Sequence, residues 1–186
     1  MPFRILVVCT ANAARSPLIE MVLARELERL RPGSFVVSSA GTRARSGTGM
    51  ATGSRALLLR SGIDYRPFSS RLLTPSLLSE VELVIGAERA HVSAVLAERP
   101  GLLKRTFTFL ELARIADSMP ERTSECPDPR AFVGYASARR MDETGTASAD
   151  FDLADPVGRD PENFEVLGRA VQLGIPSIVR GLAGAR

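Results

Sequence analysis

The stretch Ile5-Leu6-Val7-Val8-Cys9-Thr10-Ala11-Asn12-Ala13-Ala14-Arg15-Ser16-Pro17 decides how this chain of 186 residues is read. Four consecutive aliphatic residues end on a cysteine, five residues intervene, and Arg15-Ser16 lead into Pro17, where helical spacing begins. An apolar run followed at once by helical periodicity predicts strand, loop and helix. A loop of this length can curl around one tetrahedral oxyanion with several N–H groups pointing inward as a nest. The helix opening at Pro17 aims its positive end at the same point. Both features favour the thiolate of Cys9, the reactive form of cysteine. Arg15 then closes over the oxyanion with a planar fork that matches two oxygens at once, which lysine does less well. The bland alternative is a buried cysteine ending a core strand, the ordinary fate of a free cysteine. The strand-before, helix-after context weighs against it.

Working outward, strand-like and helix-like segments alternate. Arg4–Val8 reads as a strand, and Pro17 to about Leu30 carries Leu18, Met21, Val22, Leu23 and Leu27 at helical spacing, with proline in the tolerated first turn. Phe35-Val36-Val37 reads as a second strand ending at Ser39-Ala40-Gly41. A Gly/Thr/Ser-rich loop runs to about Thr52, and a helix follows that ends near Gly62. Glu82–Gly86 is a third strand, Glu88–Glu98 a helix, Arg105–Thr108 a fourth strand and Phe109–Ala116 a further helix. A final helix runs from about Pro161 beyond Val171, where Gly174 and Pro176 interrupt the pattern. This order predicts an α/β three-layer sandwich, a four-stranded parallel sheet with helices on both faces. Ligands in such folds bind outside the carboxyl ends of the strands, which is where the Cys9–Ser16 loop leaves the sheet. Residues 117–154 hold Pro, Ser, Asp, Arg and Gly with little periodicity and read as a long irregular insertion, a lid or a mobile surface segment. The chain from 1 to 186 is expected to be a single domain.

Composition narrows the function. Apolar content of 45% and charged content of 24% are those of an ordinary globular domain. No apolar run approaches membrane-spanning length, and the N-terminus enters a strand at once, leaving no room for a secretory signal. Two cysteines without repeated spacing argue against a disulfide scaffold and a zinc site, so no metal is expected and the compartment reads as cytoplasmic. The net charge of +3 arises from 24 bases nearly balanced by 21 acids, spread out and without aromatic interleaving. Neither a nucleic-acid partner nor a membrane partner is expected.

A thiolate attacking phosphorus needs a proton donor for the leaving oxygen and later a base to activate water. Three Asp-Pro pairs offer one: Asp128-Pro129, Asp155-Pro156 and Asp160-Pro161. Asp160 is better explained as the N-cap of the last helix, with Pro161 at its first position. Asp155 stands out because Pro156-Val157-Gly158 follows it just before that helix, but the pattern alone leaves the choice open.

Val7-Val8-Cys9-Thr10-Ala11-Asn12-Ala13-Ala14-Arg15-Ser16-Pro17 resembles the phosphate-binding loop of the low-molecular-weight protein tyrosine phosphatases and of the thiol-linked arsenate reductases that share their fold. The likeness extends to Ser38–Thr42, Gly62–Asp64, Ser69–Thr74, Glu82–His91 and Asp155–Gly158. It implies hydrolysis of a phosphomonoester through a phosphocysteine, without metal or cofactor. Cys9 is then the nucleophile and Arg15 the phosphate and transition-state clamp. Ser16 hydrogen-bonds the thiolate, Asn12 braces the loop, and Asp155 is the general acid and base. Residues Thr10, Ala11, Asn12, Ala13, Ala14 and Arg15 surround the phosphate. The substrate implied is a phosphorylated protein, with phosphotyrosine first, or a small phosphoester.

The departures from that family are specific. Ala11 stands where the family loop has glycine, a change expected to restrict the backbone. Ala14 stands where many members carry a protective second cysteine. The 42–52 loop and the residue after Pro156 lack aromatics, so either Tyr135, Phe132 or Phe151 fills that role or the substrate is not aromatic. Two other functions compete: a single-cysteine arsenate reductase using a small-molecule thiol, and a non-enzymatic phosphate-binding regulatory domain. The only histidine, His91, is expected on an exposed polar helix face. Cys126 is expected to be a free loop thiol.

Overall fold

Phe3–Cys9 forms strand β1, and its position explains its composition. It pairs in parallel with β2 (Phe35–Gly41) on one side and β3 (Leu83–Gly86) on the other, and β3 pairs with β4 (Thr106–Thr108). A central parallel strand is covered on both faces, so it reads as a continuous apolar run. Phe3, Ile5 and Val7 face one layer, and Leu6 and Val8 face the other. The computed structural model describes residues 1–66, 68–119, 128–143 and 151–184.

The sheet order is β2-β1-β3-β4, so the chain leaves β1 for one neighbour and later returns to the other. Helix α1 (Arg15–Leu30), α2 (Thr52–Arg60), α4 (Phe109–Asp117), α5 (Pro129–Glu143) and α6 (Glu162–Ala183) lie on the larger core, where Leu18, Leu58, Phe109, Phe132 and Ile178 meet. Helix α3 (Arg89–Glu98) covers the other face with the short turns at Pro75–Leu78 and Pro100–Arg105, through Leu78, Val95 and Leu102. This is the expected α/β three-layer sandwich. Register brings the strand ends together: Cys9 is opposite Gly41, and Val8 is opposite both Ala40 and Gly86. The crevice between the carboxyl ends of β1 and β3 is the switch point where such sheets bind ligands.

Three expectations need correction. The 117–154 stretch is not irregular throughout, because α5 occupies fifteen of its residues. Asp128 starts that helix, its side chain accepting from Arg130 N at 3.0 Å and its carbonyl from Ala131 N at 3.0 Å, with Pro129 in the first turn. Phe132, Val133 and Ala136 give α5 its buried face, and the Phe132 ring lies so close to Gly181 that a Cβ there would sit 2.4 Å from it. The last helix also outruns its expected interruption, continuing through Gly174 and Pro176 to Ala183. Pro176 is exposed, as is Gln172, whose carbonyl loses its N–H partner to the proline ring. Finally, the Asp160 side chain does not cap α6, which begins at Glu162 with Pro161 at the cap position and Glu162 and Glu165 in its first turn.

Candidate active site

The loop from Cys9 to Ser16 folds into a cup, and the carbonyls of Cys9, Thr10, Ala13 and Ala14 are tied to the 42–54 segment. Thr42 N donates to Cys9 O at 2.9 Å, Arg43 N to Thr10 O at 2.8 Å and Ala51 N to Ala13 O at 2.7 Å. Ser54 Oγ adds a bond to Ala14 O at 3.2 Å. Among the described residues, no hydrogen bond uses the backbone N–H groups of Ala11, Asn12, Ala13 or Ala14. An array of free amides at the N-terminus of α1 is the arrangement that binds tetrahedral anions. Gly41 packs beneath the loop, and a Cβ there would lie 2.6 Å from Thr10 O and 2.7 Å from Asn12 N. The left-handed residue in the cup is Asn12, with φ of 51°. Asparagine tolerates that region, so the loop turns without demanding glycine at Ala11.

Polar side chains under the cup form a network whose direction is fixed by one backbone group. Arg71 N–H donates to Asn12 Oδ1 at 2.8 Å, so the Asn12 amide must face the other way. Its Nδ2 donates to Ser16 Oγ at 2.9 Å and to Ser39 Oγ at 2.7 Å. Ser16 therefore has its own hydrogen to give, and Cys9 Sγ is 2.9 Å away. The carbonyl of Ala40, at 3.5 Å, is the weaker choice. On the far side, Ser39 donates to Glu20, whose pKa burial pushes upward, against the opposing effects of Ser39 and Arg71.

Arg15 is 2% exposed and both terminal nitrogens of its guanidinium are engaged. Nη1 meets Glu88 and donates to Leu153 O at 2.9 Å. Nη2 donates to Asp155 Oδ2 at 2.7 Å and weakly to Thr10 Oγ1 at 3.4 Å. A charge this buried needs such partners. Glu88 reaches it because α3 starts across the crevice, where Glu88 is the cap residue and its backbone carbonyl accepts from His91 N at 3.0 Å. His91 is accordingly buried, contrary to the exposed face expected of it. Its Nδ1 accepts from Glu88 N at 3.0 Å and its Nε2 lies 2.9 Å from Thr10 Oγ1. Burial and the nearby Arg15 charge hold its pKa below the ordinary value, with Glu88, Asp155 and Asp152 pulling the other way.

The structure thus gathers Cys9, Thr10, Asn12, Arg15, Ser16 and Asp155, while Ala11, Ala13 and Ala14 supply backbone. Glu88, His91, Ser39, Glu20 and Gly41 join them without having been singled out as site residues. One signal was readable: Glu88-x-x-His91 opens a helix directly after β3, at the switch point. Of the aromatics offered for substrate contact, Phe132 and Phe151 are buried, and Tyr135 is packed against the core. Cys126 lies outside the described residues.

Comparison with known proteins fits this geometry. The family model for low molecular weight phosphotyrosine protein phosphatase matches residues 4–144. The low molecular weight protein-tyrosine-phosphatase Etp of Escherichia coli is 29% identical over 124 residues, covering 65% of this chain and 79% of Etp. Wzb of Salmonella typhi, another low molecular weight protein-tyrosine-phosphatase, is 29% identical over 106 residues, covering 57% of this chain and 68% of Wzb. Among solved structures, the tyrosine phosphatase amsI of Erwinia amylovora superposes with a TM-score of 0.70 at 19% identity, covering 98% of this chain and 95% of its own. The YwlE arginine phosphatase of Geobacillus stearothermophilus gives 0.68 at 21% identity, covering 96% and 92%. At those identities the structural likeness speaks for the fold. The protein belongs to the low molecular weight phosphotyrosine protein phosphatase family, whose members are cysteine-dependent hydrolases. Asp155 lies beyond the residues that the family model matches.

Proposed function

We propose that the protein hydrolyses phosphomonoesters through a phosphocysteine on Cys9, with phosphotyrosine in proteins as the substrate class. The observation that carries this reading is the one-way hydrogen-bond path that leaves the Ser16 hydroxyl aimed at Cys9 Sγ, 2.9 Å away. A donor at that distance stabilises sulfur as the anion, both as attacking nucleophile and as leaving group. The free amides of the cup and the N-terminus of α1 add to the same effect.

In the first step the sulfur attacks phosphorus, an S–P bond forms and the ester P–O bond breaks. Asp155 gives its proton to the departing oxygen. In the second step water attacks phosphorus, Asp155 takes its proton, and the S–P bond breaks to return the thiolate. Charge developing on the phosphoryl oxygens is met by the amides and by Arg15, whose fork spans two oxygens. Before substrate arrives, Asp155 and Glu88 stand against that fork. An entering phosphoryl group displaces the Asp155 contact, and the released carboxyl group becomes the one nearest the leaving oxygen.

Phosphotyrosine as substrate is supported by the family and by the relatives' names. The test is hydrolysis of an aryl phosphate and of a phosphotyrosyl peptide by the wild type and by Cys9→Ser. Hydrolysis that falls to background in the variant supports the reading. Thiol-dependent reduction of arsenate without hydrolysis assigns the site to arsenate instead, and phosphate binding with neither activity makes it a binding domain.

A further inference from the structure

Thr10 and His91 form a contact that the scheme above leaves unused, and its polarity can be worked out atom by atom. The group facing His91 Nδ1 is the backbone N–H of Glu88, at 3.0 Å. A backbone N–H only donates, so Nδ1 must offer a lone pair. The neutral ring then carries its hydrogen on Nε2, which lies 2.9 Å from Thr10 Oγ1. The Thr10 oxygen accepts there, and it also receives a weaker bond from Arg15 Nη2 at 3.4 Å. Both lone pairs of the hydroxyl are thereby taken by donors, and its hydrogen has to be given away. Thr10 is the first residue of the cup after Cys9 and is half-buried at its wall.

Building on the phosphatase reading, we propose that the Thr10 hydroxyl donates to the oxyanion held in the cup, and that His91 is the positioning residue that fixes this direction. The function of the Glu88–His91 pairing is then double. It closes the N-terminus of α3, and it selects the histidine tautomer that turns Thr10 into a donor. Protonating His91 places a second N–H against Glu88 N–H and breaks the arrangement. The charged groups facing the ring are Arg15 from the start of α1, Glu88 from the start of α3, and Asp152 and Asp155 from the segment before α6. The net result is a neutral ring over the neutral pH range, so the switch is expected only on the acid side of 6.5, the ordinary histidine value.

The probe is inorganic phosphate, titrated calorimetrically into the full chain at neutral pH. Thr10→Val is expected to weaken binding about 10- to 100-fold, the effect of losing one hydrogen bond to a charged ligand, while Thr10→Ser stays near the wild type. His91→Ala is expected to weaken it about 2- to 10-fold, with His91→Gln, which keeps a donor, recovering much of the loss. Added to Thr10→Val, His91→Ala should produce no further loss. An additive double variant overturns the proposal, because His91 then acts through Glu88 and Arg15 instead. Wild-type affinity in Thr10→Val also overturns it. Should His91→Ala fail to fold, titration in acid decides: the wild type should lose affinity more steeply than Thr10→Val, and identical profiles overturn the proposal. A wild type that binds no phosphate brings down the phosphatase reading itself, which separates the two failures.

Discussion

Two segments meet at Arg15, and they are held in opposite ways. The cup is contiguous in sequence: bonds from the 42–54 segment hold four of its backbone carbonyls, Arg71 N–H holds the Asn12 side chain, and Gly41 packs directly against it. The segment that carries Asp155 arrives 140 residues after Arg15 and is fastened at a few points. Leu153 N donates to Ala87 O at 2.8 Å, Asp152 meets Arg89, and Asp155 itself leans on the guanidinium with its side chain 39% exposed. A rigid cradle suits a group whose task is to bind the same oxyanion in both steps. A lightly tethered carboxyl suits one that must leave Arg15, donate a proton and take one back.

That contrast is best attacked by variants that separate binding from turnover. Asp155→Asn should lower kcat about 10²- to 10⁴-fold, most with poor leaving groups. It should bind inorganic phosphate at least as tightly as the wild type, because the carboxylate competing for Arg15 is gone. Loss of phosphate binding in that variant would contradict the division of labour, and an unchanged kcat would pass the acid role to another carboxyl group. Gly41→Ala attacks the cradle instead. Its methyl group would press on Thr10 O and Asn12 N, so phosphate affinity and turnover should fall together, with about 1–3 kcal/mol of stability lost to overpacking. A normal phosphate titration in Gly41→Ala would show that the cup yields where the packing says it cannot.

A control lies far from both segments. Phe132 is fully buried against Gly181, and Phe132→Ala should reduce stability by about 3–5 kcal/mol in denaturant unfolding. Turnover per folded molecule should not change. A matching fall in kcat would mean that α5 supports the catalytic site and is not only part of the core.

The difference between the two segments also explains what could be read from the sequence. The cup was legible because nucleophile, clamp and helix start are neighbours in the chain, and because β1 must be apolar on both faces. The strands followed for the same reason. Helix α5 does not stand out in the sequence because, among its described side chains, the buried ones are Phe132, Val133 and Ala136, set among Ser, Arg and Gly, too thin an apolar stripe. The burial of His91 does not show in the spacing along its own helix. Its side chain turns back over the helix start, and here that start abuts another strand's loop. The partners Glu88, Ser39 and Glu20 come together only through the parallel register of β1 with β2 and β3, which local patterns do not encode. Of the three Asp-Pro pairs, Asp128 opens α5 while Asp155 reaches Arg15, a distinction carried by tertiary contacts and not by local sequence.

The most direct test asks where the phosphoryl group goes. Asp155→Asn, mixed with an aryl phosphate that has a good leaving group and quenched in acid during turnover, should carry a phosphoryl adduct on the peptide containing Cys9. Release of the aryl alcohol should show a burst equal to the enzyme concentration. Absence of any adduct, or an adduct on the peptide containing Cys126, would contradict the account.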